Sequence, residues 1–249
     1  RDVQTIYRHA GMTNARTKAS LFNAMGLGPV WELKANETSQ VQVQVQVQVQ
    51  VPAIPAQGAH QELPSLKSLQ NTVANCKKCS LCETRKQTVF ADGIAHAPLM
   101  VVGEAPGIDE DAVGLPFVGR AGQLLDRMLA AISVSRANNV YIANVLKCHP
   151  PGNRNPESAE IAECSPYLVE QIKANDPKVL LLVGRFAIQT LLNSKKPVGE
   201  LRGQVHRVTL DGLDIPAVVT YHPAYLLRRP EEKSKVWDDL LLLKQQGII

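Results

Sequence analysis

The stretch Val101-Val102-Gly103-Glu104-Ala105-Pro106-Gly107-Ile108-Asp109-Glu110-Asp111, closed by Pro116-Phe117-Val118-Gly119, decides the fold. Ahead of it, Pro98-Leu99-Met100-Val101-Val102 is a short apolar run of the kind a strand buried on both faces carries. Behind it, Leu124, Leu125, Met128, Leu129 and Ile132 recur at the spacing of one helix face. A strand therefore runs into a loop of Gly, Pro and acids, an aromatic follows, and a helix begins. In open α/β sheets, ligands sit at the carboxyl ends of the strands. A solvated surface turn has the same composition, so the rest of the chain must decide.

That rest has one texture from residue 63 onward. Apolar runs at 98–103, 139–146, 178–183 and 216–220 alternate with helical patterns at 119–133, 157–174, 185–193 and 231–246. Val205 to Leu210 alternates, and Asp211-Gly212 behind it marks a hairpin arm. Repeated strand–helix units predict a three-layer α/β/α domain around a mostly parallel sheet, spanning 63–249. Residues 1–62 differ. Leu21, Met25, Leu27 and Trp31 suggest a short amphipathic piece, and Val41 to Val51 alternate strictly with Gln. Low complexity, with Pro52 and Pro55 closing the tract, makes this a disordered linker with some β-aggregation tendency. Arg1 is not an initiator, and Met12 offers an alternative start.

The chain has 249 residues, 45% of them apolar, enough for a proper core. A net charge of +4 permits a nucleic-acid partner without demonstrating one, because such a footprint is local. No run of about 18 apolar residues occurs, so no membrane contact is expected. Without a signal peptide at its start, the chain is expected in the cytoplasm. In that compartment five cysteines favour metal or cluster ligation over disulfides.

Cys76-Lys77-Lys78-Cys79 has the spacing with which two thiolates clamp one ion or cluster. Cys148 follows the strand ending near Lys147, and Cys164 lies in the next helical stretch. Four thiolates suit tetrahedral zinc or a [4Fe-4S] cluster. Zinc sites with strong local signatures take their last two ligands from another Cys-x2-Cys, whereas Cys148 and Cys164 are 16 positions apart, which tilts the choice toward iron–sulfur. Cys82 is either a small buried hydrophobe or a substitute for Cys76 or Cys79.

Other candidates lie at the ends of apolar runs. Asn144, inside the run 139–147, is either a satisfied structural amide or one that reads a base edge with its donor and acceptor. His149 to Pro156 is a stiff loop whose Asn153 and Arg154 suit a phosphate contact. The run 218–220 ends at His222, in a Pro-stiffened loop followed by Leu226, Leu227, Arg228 and Arg229. Exposed leucines flanked by arginines are what DNA-distorting proteins push into a base stack.

These motifs together resemble the family 4, iron–sulfur, uracil-DNA glycosylases. The likeness runs from about Cys76 to Trp237 and takes in Gly-Glu-Ala-Pro-Gly, Pro-Phe-Val-Gly, Tyr-Ile-Ala-Asn-Val-Leu-Lys-Cys, Pro-Pro-Gly-Asn-Arg-Asn-Pro and His-Pro-Ala-Tyr-Leu-Leu-Arg. It implies a [4Fe-4S] cluster on Cys76, Cys79, Cys148 and Cys164, without Cys82. It implies that Phe117 stacks on a flipped uracil, that Asn144 bonds its edge, and that His222 stabilises charge on the departing base. The segment Leu226 to Arg228 would enter the DNA. Backbone N–H groups of the Gly-Pro loop, at Ala105 and Gly107, would face the uracil oxygens. For the carboxylate near the sugar the candidates are Glu104, Asp109, Glu110 and Asp111. Glu110 is favoured, with Glu104 as loop scaffold. The implied partner is uracil-containing DNA, single- or double-stranded, for a monomer in the nucleoid of a prokaryote, starting base excision repair.

Two other readings stand beside this one. A covalent-trapping relative would use a loop histidine to capture the sugar; His206 is available, but no Arg-rich insertion accompanies it. A zinc-stabilised nucleic-acid-binding module would not catalyse at all.

Overall fold

A computed structural model describes residues 65–247. The expected extension at 1–62 and its Val-Gln tract lie outside the described residues. Helices α1 (Leu66–Ala74) and α2 (Leu81–Thr84) lead to the short strand β1 (Asp92–Gly93). There follow β2 (Leu99–Gly103), α3 (Ile108–Val113), α4 (Arg120–Ala131) and β3 (Val140–Asn144). Then come α5 (Ser158–Asn175), β4 (Val179–Val183), α6 (Arg185–Leu191) and α7 (Val198–Leu201). The chain closes with β5 (Val205–Leu210), β6 (Leu213–Thr220), α8 (Pro223–Arg228) and α9 (Lys233–Lys244).

The six strands form one sheet in the order β1-β3-β2-β4-β6-β5. Its centre, β3-β2-β4-β6, is parallel. The edges β1 and β5 are antiparallel. The hairpin predicted at Asp211-Gly212 joins β5 to β6 with both residues at positive φ, 41° and 90°, as the tight turn requires.

Alternate residues of each central strand serve opposite cores. Met100, Val102, Ala143, Leu180, Leu182 and Val219 pack with α1, α5 and α6 residues such as Leu69, Leu168 and Ile188. Leu99, Val101, Ile142, Val179, Leu181 and Val218 pack instead with Leu125, Met128 and Leu129 of α4 and with Val236 and Leu240 of α9. Every residue of β2, β3 and β4 is buried. That is why these strands read as unbroken apolar runs, and it establishes the three-layer α/β/α arrangement. No helix of the described residues is long and apolar enough to cross a membrane.

The parallel centre aims the carboxyl ends of β2, β3, β4 and β6 to one side. Gly103, Asn144, Val183 and Thr220 are the last residues of these strands, and Gly103 pairs with Asn144 in register. The loops that follow meet there.

Candidate active site and cysteine cavity

A cleft of about 400 Å³ opens at this edge, lined among others by Glu104, Ala105, Phe117, Asn144, His222 and Arg228. Gly107, Glu110, Asn153 and Arg154 line it too. The topology thus gathers residues taken from four separate loops of the sequence. Tyr225 and Ala121 were not anticipated.

Asn144 is 2% exposed, and its Oδ1 is buried without a hydrogen-bond partner. An unsatisfied buried acceptor is unfavourable unless a ligand completes it. Gly103, opposite it, carries no side chain, because a Cβ there would meet both the Asn144 amide and the Phe117 ring. Phe117 is buried at 6% exposure. Its ring centroid lies 5.6 Å from that of His222, with the planes inclined at 30°.

His222 caps α8: its Nδ1 accepts from the Ala224 N–H at 3.2 Å. Nε2 is thereby left to carry the ring proton. Burial, with Arg228 adding to it and Glu110 opposing, pushes the imidazole down to about 4. At neutral pH it is an uncharged donor.

The four acids divide sharply. Glu110 is bound on both oxygens: Oε2 accepts from Gly107 N–H at 3.0 Å, and Oε1 from Val118 N–H at 2.9 Å and Gly119 N–H at 3.1 Å. Asp111 is buried and accepts from the N–H of Lys86 at 3.0 Å. Asp109 is exposed on α3. The Glu104 carboxylate receives no hydrogen bond from the described residues, and burial raises its carboxyl while Arg185 opposes the rise. From the sequence Glu110 was favoured as the carboxylate near the sugar and Glu104 as the loop scaffold. The hydrogen bonds make Glu110 a holder of the loop, because the Gly107 N–H of its own helix cap and the N–H groups of Val118 and Gly119 converge on it. The same bond corrects Gly107, whose N–H is taken by Glu110 and does not face the cleft as a free donor.

Two DNA-binding expectations also change. Leu226 is 1% exposed and packs in the core, because α8 begins directly after His222 and turns that residue inward. Leu227, at 38%, and Arg228 are exposed. Arg154 lines the cleft, but its guanidinium forks onto Glu160, with Nη1 at 3.0 Å and Nη2 at 2.6 Å from the carboxylate oxygens. Its charge is already matched. Asn153 Oδ1 is within 2.9 Å of His149 Nε2. His206, the residue a covalent-trapping relative would need, is outside the cleft; its Nε2 lies 2.6 Å from the Leu201 carbonyl.

Cys76, Cys79, Cys82, Cys148 and Cys164 line a second cavity. All are free thiols. Among the described residues no three His, Cys, Asp or Glu side chains stand close enough to hold one metal ion, whereas a cluster is reached by thiolates spread around a larger body. Burial pushes the Cys164 thiol up to about 11 and also raises Cys148. Two cations enter the same space. Arg85 Nη1 donates to Cys148 Sγ at 3.0 Å, and its Nη2 to the Cys76 carbonyl at 2.8 Å. Lys147, 1% exposed, donates its backbone N–H to Cys164 Sγ at 3.3 Å. Burial lowers the Lys147 ammonium to about 8, and negative charge on the neighbouring sulfurs opposes that fall. A four-thiolate iron–sulfur cluster supplies such charge, so the residues fit the group. Lys147 had a sequence signal, a charge inside an apolar run; Arg85 had only its closeness to the cysteines.

Comparison with known proteins agrees with this geometry. The family described as the uracil DNA glycosylase superfamily matches residues 90–241. The type-4 uracil-DNA glycosylase of Archaeoglobus fulgidus is 40% identical over 181 residues, 71% of this chain and 90% of that protein. Those of Pyrobaculum aerophilum and Thermotoga maritima are 36% and 38% identical, over 74% and 66% of this chain and 95% and 83% of their own. A match over most of the domain places the chain in the uracil-DNA glycosylase superfamily among its type-4 enzymes.

Proposed function

We propose that this chain flips uracil out of DNA and hydrolyses its N-glycosidic bond, the opening step of base excision repair of deaminated cytosine. The observation that carries the reading is the buried, unpartnered Oδ1 of Asn144 beside the Phe117 and His222 rings. An acceptor suits the N3–H of uracil, and the amide N–H₂ of the same residue suits an adjacent carbonyl. Phe117 offers a face for the base.

When the N1–C1′ bond breaks, both electrons leave with the base and the sugar becomes cationic. The Nε2–H of neutral His222 donates to the uracil oxygen on which charge grows, and Ala105, which lines the cleft, would add its N–H. The Glu104 carboxylate, free of internal hydrogen bonds, favours the cationic sugar and orients the water. That water adds its oxygen at C1′; its proton ends on the departed uracil, leaving an abasic site. Glu110 holds the loop. Arg228 and Leu227 face the DNA.

Cys76, Cys79, Cys148 and Cys164 would hold a [4Fe-4S] cluster. Its contribution is structural, tying the 76–82 segment to the 148–164 segment. Cys82 lines the same cavity and is the spare thiol.

Cleavage of a uracil-containing oligonucleotide tests the reading, with Asn144→Ala and His222→Ala beside the wild type. Both variants should lose on the order of 100-fold or more in rate. A wild type that leaves the oligonucleotide intact, or an Asn144→Ala variant of full activity, would sink it. A heat- and SDS-stable protein–DNA adduct would replace turnover by trapping.

A further inference from the structure

We propose that Arg136 is a positioning residue that sets the Phe117 ring in the base pocket. The inference rests on the stacking role assigned to Phe117 above. Phe117 has φ +55°, a left-handed backbone that aromatic L-residues avoid. Something must hold it there.

Arg136 lies between α4 and β3, outside the cleft, and all three nitrogens of its guanidinium are engaged. Nη1 donates to the Pro116 carbonyl at 2.7 Å and Nη2 to the Phe117 carbonyl at 2.6 Å. Nη1 also meets Asp92 at 2.9 Å, and Nε meets Asp126 at 2.7 Å. The two carboxylates aim the fork, and the fork grips two consecutive carbonyls.

Those carbonyls belong to the peptide planes on either side of Phe117. The second plane is gripped from its other edge too, since Val118 N–H donates to Glu110 at 2.9 Å. With both planes fixed, φ and ψ of Phe117 are fixed, and so is the direction of its Cβ. Gly122 of α4 allows the arrangement, because a Cβ there would occupy the place of the Phe117 carbonyl. The ring is thereby delivered against Gly103 and Asn144 before any base arrives. Preorganisation of this kind appears in base affinity.

The test measures inhibition of the purified full-length enzyme by free uracil, for the wild type, Phe117→Ala, Arg136→Ala, Arg136→Lys and the double variant Arg136→Ala/Phe117→Ala. Phe117→Ala should raise the inhibition constant about tenfold, as loss of one aromatic stack does. Arg136→Ala should raise it comparably, and the double variant by no more than about twofold beyond Phe117→Ala, as coupled residues behave. A purely structural Arg136 would lower the unfolding temperature and leave the constant unmoved, which overturns the proposal, as do effects that multiply. If Phe117→Ala itself leaves the constant unchanged, the stacking role fails and the proposal with it. Should Arg136→Ala not fold, Arg136→Lys decides: it keeps the charge but not the fork, so an unchanged constant overturns the proposal and a raised one supports it.

Discussion

The ammonium of Lys147 lies 2.6 Å from the main-chain carbonyl of Asn144, while the backbone N–H of the same lysine reaches Cys164 Sγ. One buried side chain joins the cysteine cavity to the residue proposed to face the base. Its value depends on charge. Among neutral thiols a buried ammonium has no counter-ion, and replacing it by an apolar side chain is often neutral or stabilising. Among thiolates it is a counter-ion.

Lys147→Met is therefore expected to destabilise the enzyme by about 2 kcal/mol, the scale of a hydrogen bond to a charged group. For a domain of this size that is a fall in unfolding temperature of roughly 4–8 °C. Visible absorbance per protein should drop with it. A variant that melts higher than the wild type would show that no anionic cluster occupies the cavity.

The two glutamates of the loop should separate cleanly. Glu104→Gln is expected to lower turnover about 100-fold with little change in unfolding temperature. Glu110→Gln sets an amide N–H₂ against one of the N–H groups now bound to the carboxylate, so it should lower stability by about 1–3 kcal/mol. Calorimetry and single-turnover rates on the two variants check both. Equal melting temperatures with activity lost only at Glu110 would restore the assignment expected from the sequence.

His222 predicts a pH effect with a definite sign. Its imidazole sits at about 4 in the folded enzyme, against about 6.5 unfolded. Between those values the unfolded chain binds the proton and the folded one does not, so stability is whole above pH 6.5 and falls as pH drops toward 4. The loss attributable to His222 is on the order of 2–3 kcal/mol, since the cleft still admits water around the ring. Denaturant unfolding at pH 7 and pH 4.5 should show a smaller fall for His222→Gln than for the wild type. An identical fall would refute the assignment.

Salt dependence should distinguish the two arginines at the cleft. Arg228→Ala is expected to weaken binding to uracil-containing DNA and to reduce the slope of log K against log salt by about 1. Arg154→Ala should leave that slope unchanged and lower the unfolding temperature, because it strands the buried Glu160 carboxylate. Fluorescence anisotropy at several salt concentrations gives both slopes. A reduced slope for Arg154→Ala would return it to the DNA-contact group.

The strand–helix alternation, the hairpin at Asp211-Gly212 and the strand-end positions of Asn144 and His222 were legible in the sequence. Each is a local property: burial on both faces makes an apolar run, and a polar residue that ends such a run stands out. The cysteine pair is local in the same way. What each polar group is bound to was not legible. Glu110 was favoured as the acid near the sugar, yet N–H groups from residues 107, 118 and 119 close on it. Arg154 looks like a phosphate contact, yet Glu160 takes its fork. Leu226 looks exposed, yet a helix that starts at Pro223 carries it into the core. Arg136 and Arg85 stand in polar stretches with nothing to single them out. The sequence by itself determined the architecture and which loops meet at one sheet edge. Only the tertiary structure decided which of their side chains are free to act, because hydrogen-bond saturation depends on donors brought together in space, and spacing along the chain records only the local ones, such as the Gly107 cap of Glu110.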